Sequence, residues 1–216
     1  MNAMTPTKSA APPKQIGNGH TGRGGDGWDG NGGDQHESAS PLGKRIGLWI
    51  FIGVASVLFS ALISAYVVRM GLSDWHPLPE PWWLWANTAT LVLASVLLQW
   101  GLNAAKQGNL STTRNGVLLG GVFGALFITG QLWAWQQFMS LGYFVESNPA
   151  NTFFYLMTAL HGLHMLGGLV AWIRTYRTVQ RNESATKVVL GVEMCTVYWH
   201  FLLVVWLVLF GLMLLT

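Results

Sequence analysis

Five apolar stretches, each long enough to cross a lipid bilayer, decide what this 216-residue chain can fold into. A helix needs about 20 apolar residues to span the hydrocarbon core. The stretches Ile46–Val68, Trp82–Ala104, Gly116–Met139, Thr152–Ile173 and Val188–Leu215 all reach that length. Lipid offers the backbone no hydrogen bonds, so each stretch must satisfy its own amides and carbonyls, which a helix does. The fold class predicted is all-α, an integral membrane bundle of five transmembrane helices. Composition agrees, since only 10% of residues are charged against roughly 25% in ordinary soluble domains.

The separators carry turn chemistry: His76-Pro77-Leu78-Pro79-Glu80-Pro81, Gln107-Gly108-Asn109, Ser147-Asn148-Pro149 and Gln180-Arg181-Asn182-Glu183. Residues 1–43 differ in kind from 44–216. The glycine-rich run from Gly17 to Gly33 has almost no apolar content. Such a leader cannot bury enough surface to offset its ordering entropy, so disorder is expected there. A signal peptide needs a positive start and then an apolar stretch, and none precedes residue 46. His20 and His36 are too isolated to argue for metal binding.

Basic residues set the expected direction. Lys8, Lys14, Arg23, Lys44 and Arg45 precede the first span, Lys106 and Arg114 lie between spans two and three, and Arg174, Arg177, Arg181 and Lys187 between four and five. Only Arg69 falls on the other side. The positive-inside rule then predicts a cytoplasmic N-terminus and a C-terminus outside. Trp49, Trp82, Trp83, Trp85 and Trp172 lie near span ends, where an aromatic belt is expected. The single cysteine, Cys195, excludes an internal disulfide framework and a cysteine-based metal cluster. No nucleotide-binding, nucleic-acid-binding or hydrolase motif is present.

Helices in lipid associate through close packing and polar contacts rather than hydrophobic collapse. Ser56, Ser60 and Ser64 lie four apart in the first span, and Gly116, Gly120 and Gly124 four apart in the third. Both sets are candidate helix-packing stripes, within the chain or toward a partner. Four ionisable residues lie inside spans: His161 and His164 in the fourth, Glu193 and His200 in the fifth. Such groups are costly at membrane depth and usually face a partner. His161 and His164, three apart, share a helix face, as do Glu193 and His200, seven apart with Thr196 between them. Counted from the same membrane side, the depths of His164 and His200 differ by roughly 4–5 Å. The plainest reading is an interhelical hydrogen-bond network joining these two spans, with Trp199 beside it. A proton relay and haem ligation are the sharper readings. Haem takes two ligands on opposite faces, or one plus an open site, and histidines spaced by three cannot clamp it from both sides.

The string Thr158-Ala159-Leu160-His161-Gly162-Leu163-His164-Met165-Leu166-Gly167-Gly168 resembles the His-Gly-Leu-His signature of the haem-copper respiratory oxidase subunit III family, cytochrome c oxidase subunit 3. Glu193 and Tyr198-Trp199-His200-Phe201-Leu202-Leu203-Val204-Val205-Trp206-Leu207 follow at the family's separation. Gly47-Leu48-Trp49-Ile50-Phe51 and Leu58-Phe59-Ser60 are similar to its opening span. The resemblance covers about residues 43–216 and looks like the short five-helix bacterial form. Two acidic positions common in the family are occupied here by Ala134 and Leu203. The resemblance implies a non-catalytic subunit of the bacterial plasma membrane with no haem or copper of its own. Its partners would be subunit I, which carries the haems and a copper, with subunit II, a small subunit IV and bound phospholipids. Roles in sustaining proton uptake and protecting the catalytic centre follow from the same resemblance. It leaves open a quinol oxidase or a nitric oxide reductase accessory subunit. From another class, a free-standing carrier or b-type cytochrome stays in view.

Overall fold

The computed structural model describes residues 41–71, 82–144 and 149–215. The leader up to residue 40, the whole proline-rich separator and residues 145–148 lie outside the described residues. Five helices are present: α1 Pro41–Met70, α2 Trp82–Lys106, α3 Leu110–Ser140, α4 Pro149–Gln180 and α5 Ala185–Leu214. All five are long and apolar enough to cross a membrane. Most outrun the apolar stretches that signalled them, because the backbone stays helical through charged flanks until a breaker stops it. One breaker is Gly108, whose φ of 76° is open to glycine at no steric cost. Asn109 then caps α3, its side chain accepting from the Thr112 amide at 3.1 Å. Pro41 opens α1, where a missing amide hydrogen costs nothing. The last residues read as leader, 41–43, are therefore the first turn of α1.

Helices α2, α3, α4 and α5 form a closed ring, each packed on the next and α5 returning to α2. α1 lies outside that ring against α4 and α5. The apolar window of α1 is only 17% buried, against 50% for α2, so α1 is peripheral. Glycine explains how closely α2 and α3 approach. A Cβ on Gly116 would stand 2.6 Å from the Gly101 Cα and 2.8 Å from its nitrogen. Backbone thus meets backbone there, as small-residue membrane interfaces allow. Further along α3, Gly120 receives the Leu98 side chain, Gly121 the Trp172 ring and Gly124 the Trp199 ring. The expected glycine stripe is buried, and its members face α2, α2 and α5 in turn. The serine stripe is placed differently. Ser60 and Ser64 are exposed, and Ser56 bonds back to the Ile52 carbonyl at 2.8 Å. α1 packs inward instead through Ile52, Ala55, Phe59 and Tyr66.

Candidate functional site

Polar groups tie the ring together one helix pair at a time. Asn87 of α2 donates to Gln131 of α3 at 3.1 Å. The indole of Trp135 in α3 donates to the Thr158 hydroxyl of α4 at 3.1 Å. Trp172 of α4 donates to the Val117 carbonyl of α3 at 2.6 Å. Tyr198 of α5 donates to the His164 carbonyl of α4 at 2.9 Å. Trp206 of α5 donates to the Thr88 hydroxyl of α2 at 2.9 Å. Thr88 and Thr158 also donate to carbonyls of their own helices, at 2.8 and 2.6 Å. Each hydroxyl oxygen is thereby left as the acceptor an indole needs. Trp172, expected in the membrane-interface belt, is instead an interhelical donor seated over Gly121.

The histidine pair sits where α4 meets α1. His161 is fully buried among Phe59, Phe127 and Trp206, with ring centroids 6.4, 5.9 and 5.4 Å away. Neither of its ring nitrogens has a hydrogen-bond partner. His164 is half-buried, its ring 5.3 Å from Phe59 and 5.8 Å from Phe51. Its Nδ1 donates to the Leu160 carbonyl at 2.8 Å. Phe59 of α1 is therefore the ring both histidines touch.

Glu193 and His200 lie elsewhere on the surface of α5. Glu193 accepts from Arg45 of α1 at 2.6 Å, and His200 Nδ1 donates to the Thr196 carbonyl at 2.7 Å. Thr196, expected on their face, turns inward toward the Leu98 carbonyl at 3.5 Å. Trp199 is fully buried with its ring against Gly124. No hydrogen bond links any two of His161, His164, Glu193, Trp199 and His200. The five occupy three places: the Phe59 box, the centre of the ring and the outer face of α5. Among the described residues no group of three or more His, Cys, Asp or Glu could hold a metal ion. Ala134 is fully buried and Leu203 packs against the core, so both family acid positions are filled by apolar side chains.

Sequence reasoning missed Arg45, whose partner lies 148 residues away, and the donors Trp135 and Trp206. The usable signal was a Thr or Asn within each apolar stretch, since such a group inside lipid needs a partner. It also missed a groove of about 730 Å³ between α1, α4 and α5, lined by Lys44, Leu48, Phe51, Arg174, Lys187 and Met194. Lys44, Arg174 and Lys187 rim this groove with Glu183, which pairs with Lys187 at 3.6 Å, and apolar side chains line the rest.

A ring of four helices long enough to span a membrane, with a fifth laid on it and indole-to-hydroxyl bonds across two of its seams, defines a multi-pass helical membrane protein. The family model for cytochrome c oxidase subunit III matches residues 29–215, and the chain belongs to that family. The match starts inside the segment read as leader. A cytochrome c oxidase subunit 3 from Thermostichus vulcanus is 29% identical over 183 residues, covering 82% of this chain and 90% of that protein. A probable cytochrome c oxidase subunit 3 from Mycobacterium tuberculosis is 30% identical, covering 81% of this chain and 89% of its own length. A Synechocystis cytochrome c oxidase subunit 3 is 28% identical over 173 residues, 77% of this chain and 73% of that protein. The chain is accordingly a subunit of an oxidoreductase complex.

Proposed function

We propose that this chain is the non-catalytic third subunit of a cytochrome c oxidase in aerobic respiratory electron transport. It packs directly on the subunit that carries the haems and copper, beside subunit II and a small fourth subunit. It contributes no redox centre to the proton-pumping reduction of oxygen to water, and it supports proton uptake and catalytic lifetime. The observation that carries this reading is the family match over nearly the whole bundle, joined to the polar design just described. That design commits the indoles of Trp135, Trp172 and Trp206 to bonds between helices.

Orientation follows from charge. Lys44, Arg45, Lys106, Arg114, Arg174, Arg177, Arg181 and Lys187 crowd one end of the bundle, which the positive-inside rule assigns to the cytoplasm of a bacterial plasma membrane. The groove at that end suits a phospholipid, with the phosphate held by Lys44, Arg174 and Lys187 and an acyl chain laid along Leu48, Phe51 and Met194.

A mild-detergent pull-down of the chain from its native membrane tests the reading, read by visible spectrum and mass spectrometry. Co-purification of a haem-copper subunit is expected. A chain that comes alone and colourless sinks the assignment, and one that comes alone but red makes its histidines haem ligands. In the same assay His164→Leu should weaken retention of the catalytic subunit or shorten its turnover life, with haem content unchanged. Lipid release after Arg174→Ser with Lys187→Ser tests the groove.

A further inference from the structure

The outer face of α5 carries a polar group that the described residues satisfy only in part. Side chains of α5 turned toward the ring and α1 are buried: Tyr198, Trp199, Leu202, Val205, Trp206 and Leu209. Between the α1 and α2 sides runs a stripe, spaced by three and four, that is half-buried at Val197 and His200 and opens outward beyond them. Val204, Leu207 and Val208 on it are 58%, 45% and 47% exposed. Glu193 and His200 fall on this stripe, at helical positions flanking Val197.

Their chemistry differs. The charge of Glu193 is met by Arg45, so that end of the stripe is closed within the chain. His200 is only half met. A carbonyl can only accept, so the 2.7 Å contact with Thr196 fixes the proton on Nδ1. With Nδ1 donating, Nε2 is the ring atom left to accept, and no described residue donates to it. His200 is the sixteenth residue of the thirty in α5, counted from Ala185. It therefore lies about 20 Å of helix from either end. Headgroup donors do not reach that depth, and acyl chains have none.

The geometry points to this stripe as the seat of a transmembrane helix from another subunit, one that brings a hydroxyl, amide or indole N–H against His200 Nε2. The proposal rests on the chain being an oxidase subunit and adds which face meets its neighbour and by what chemistry. The seam of residues 197, 200, 204, 207 and 211, with Gly211, has the three–four spacing that a crossing helix packs into.

Photocrosslinking in the native complex decides it. A benzoylphenylalanine placed at Val204 or Val208 should give a protein adduct with another subunit. Lipid adducts alone from these positions overturn the proposal, as does a protein adduct confined to Val122 on α3 or Leu163 on α4. If the wild-type chain co-purifies with no other subunit, the oxidase reading fails together with this one. Co-purification without adducts at Val204 or Val208 removes only this one. A pair of variants then tests the acceptor itself. His200→Leu should lower subunit retention in raised detergent about three- to fifteenfold, the range of one interhelical membrane hydrogen bond. His200→Gln, which keeps an acceptor oxygen, should hold near wild type. Equal retention by the two variants overturns the role of His200, and if His200→Leu fails to accumulate, the crosslinks and His200→Gln decide.

Discussion

Replacing Gly116 by alanine tests the closest helix approach in the bundle. The added Cβ would stand 2.6 Å from the Gly101 Cα, 2.8 Å from the Gly101 nitrogen and 3.0 Å from the Leu97 carbonyl oxygen. Carbon–carbon contacts settle near about 3.5–4.0 Å. All three neighbours are backbone, so no side chain can rotate away and α3 must back off α2 by about 1 Å. A radial gap of that size forfeits about a quarter to a half of each contact it opens. Overpacking of this kind costs about 1–3 kcal/mol, and the better helix propensity of alanine returns at most about 1 kcal/mol. A net loss of about 1–2 kcal/mol is expected. Two controls sharpen the test. Gly120→Ala meets mainly the Leu98 side chain, which can turn, so its loss should be smaller. Gly53→Ala in α1 has nothing within 4 Å and should be neutral or slightly stabilising. Unfolding in mixed dodecyl maltoside–SDS micelles, followed by tryptophan fluorescence, ranks the three. A Gly116→Ala chain as stable as Gly53→Ala within about 0.5 kcal/mol would refute the backbone-contact argument.

Three further outcomes are expected. A double-mutant cycle of Trp206→Phe with Thr88→Ala should show a coupling of about 0.6–1.7 kcal/mol, the worth of one interhelical bond in lipid; zero coupling removes the indole from the α2–α5 tie. His161→Met should cost little or even stabilise, because an orphaned buried ring is exchanged for an apolar chain of similar reach; a loss above about 3 kcal/mol would show a partner that the fold does not display. Arg45→Gln should cost about 0.2–1 kcal/mol at low ionic strength and nothing in high salt, since the Arg45 side chain is 54% exposed; a salt-independent loss would contradict that.

The fold was legible where a length rule applies and illegible where orientation is needed. Five apolar runs separated by turn residues give five helices almost without further argument, and the glycines at 116, 120 and 124 mark where α3 comes close to its neighbours. Which way each helix faces is another matter. In water the polar side of an amphipathic helix marks its exposed face. α5 has apolar side chains on every side and its few polar ones share no single face, so its pattern holds no such mark. Spacing correctly set Glu193 and His200 two turns apart on one side of α5, yet could not say that this side points away from α4. The same gap hid Arg45, since nothing local to Arg45 or Glu193 announces the other. A tryptophan near a span end reads as an interfacial anchor, and only Gly121 across the interface reveals a seat for its ring.

The polar groups of the bundle then sort by what remains to be done with them. Thr88, Thr158, Asn87, Trp135, Trp172 and Trp206 are consumed in holding helices together. His164 and His200 each donate to the carbonyl four residues back, and each keeps Nε2 as an acceptor. Both imidazoles are half-buried: His164 packs beside Phe51 and Phe59 of α1, while His200 stands on α5 one turn from the exposed Val204. A free-standing helical protein would have no reason to place a half-satisfied imidazole on its outer surface at mid-membrane, where lipid offers nothing and the cost is several tenths to a few kcal/mol. For a subunit that always meets a neighbour, the same imidazole is a register mark, rewarding only a partner helix whose donor arrives at the right depth. In that reading the inward polar groups specify the fold and the outward one specifies the assembly.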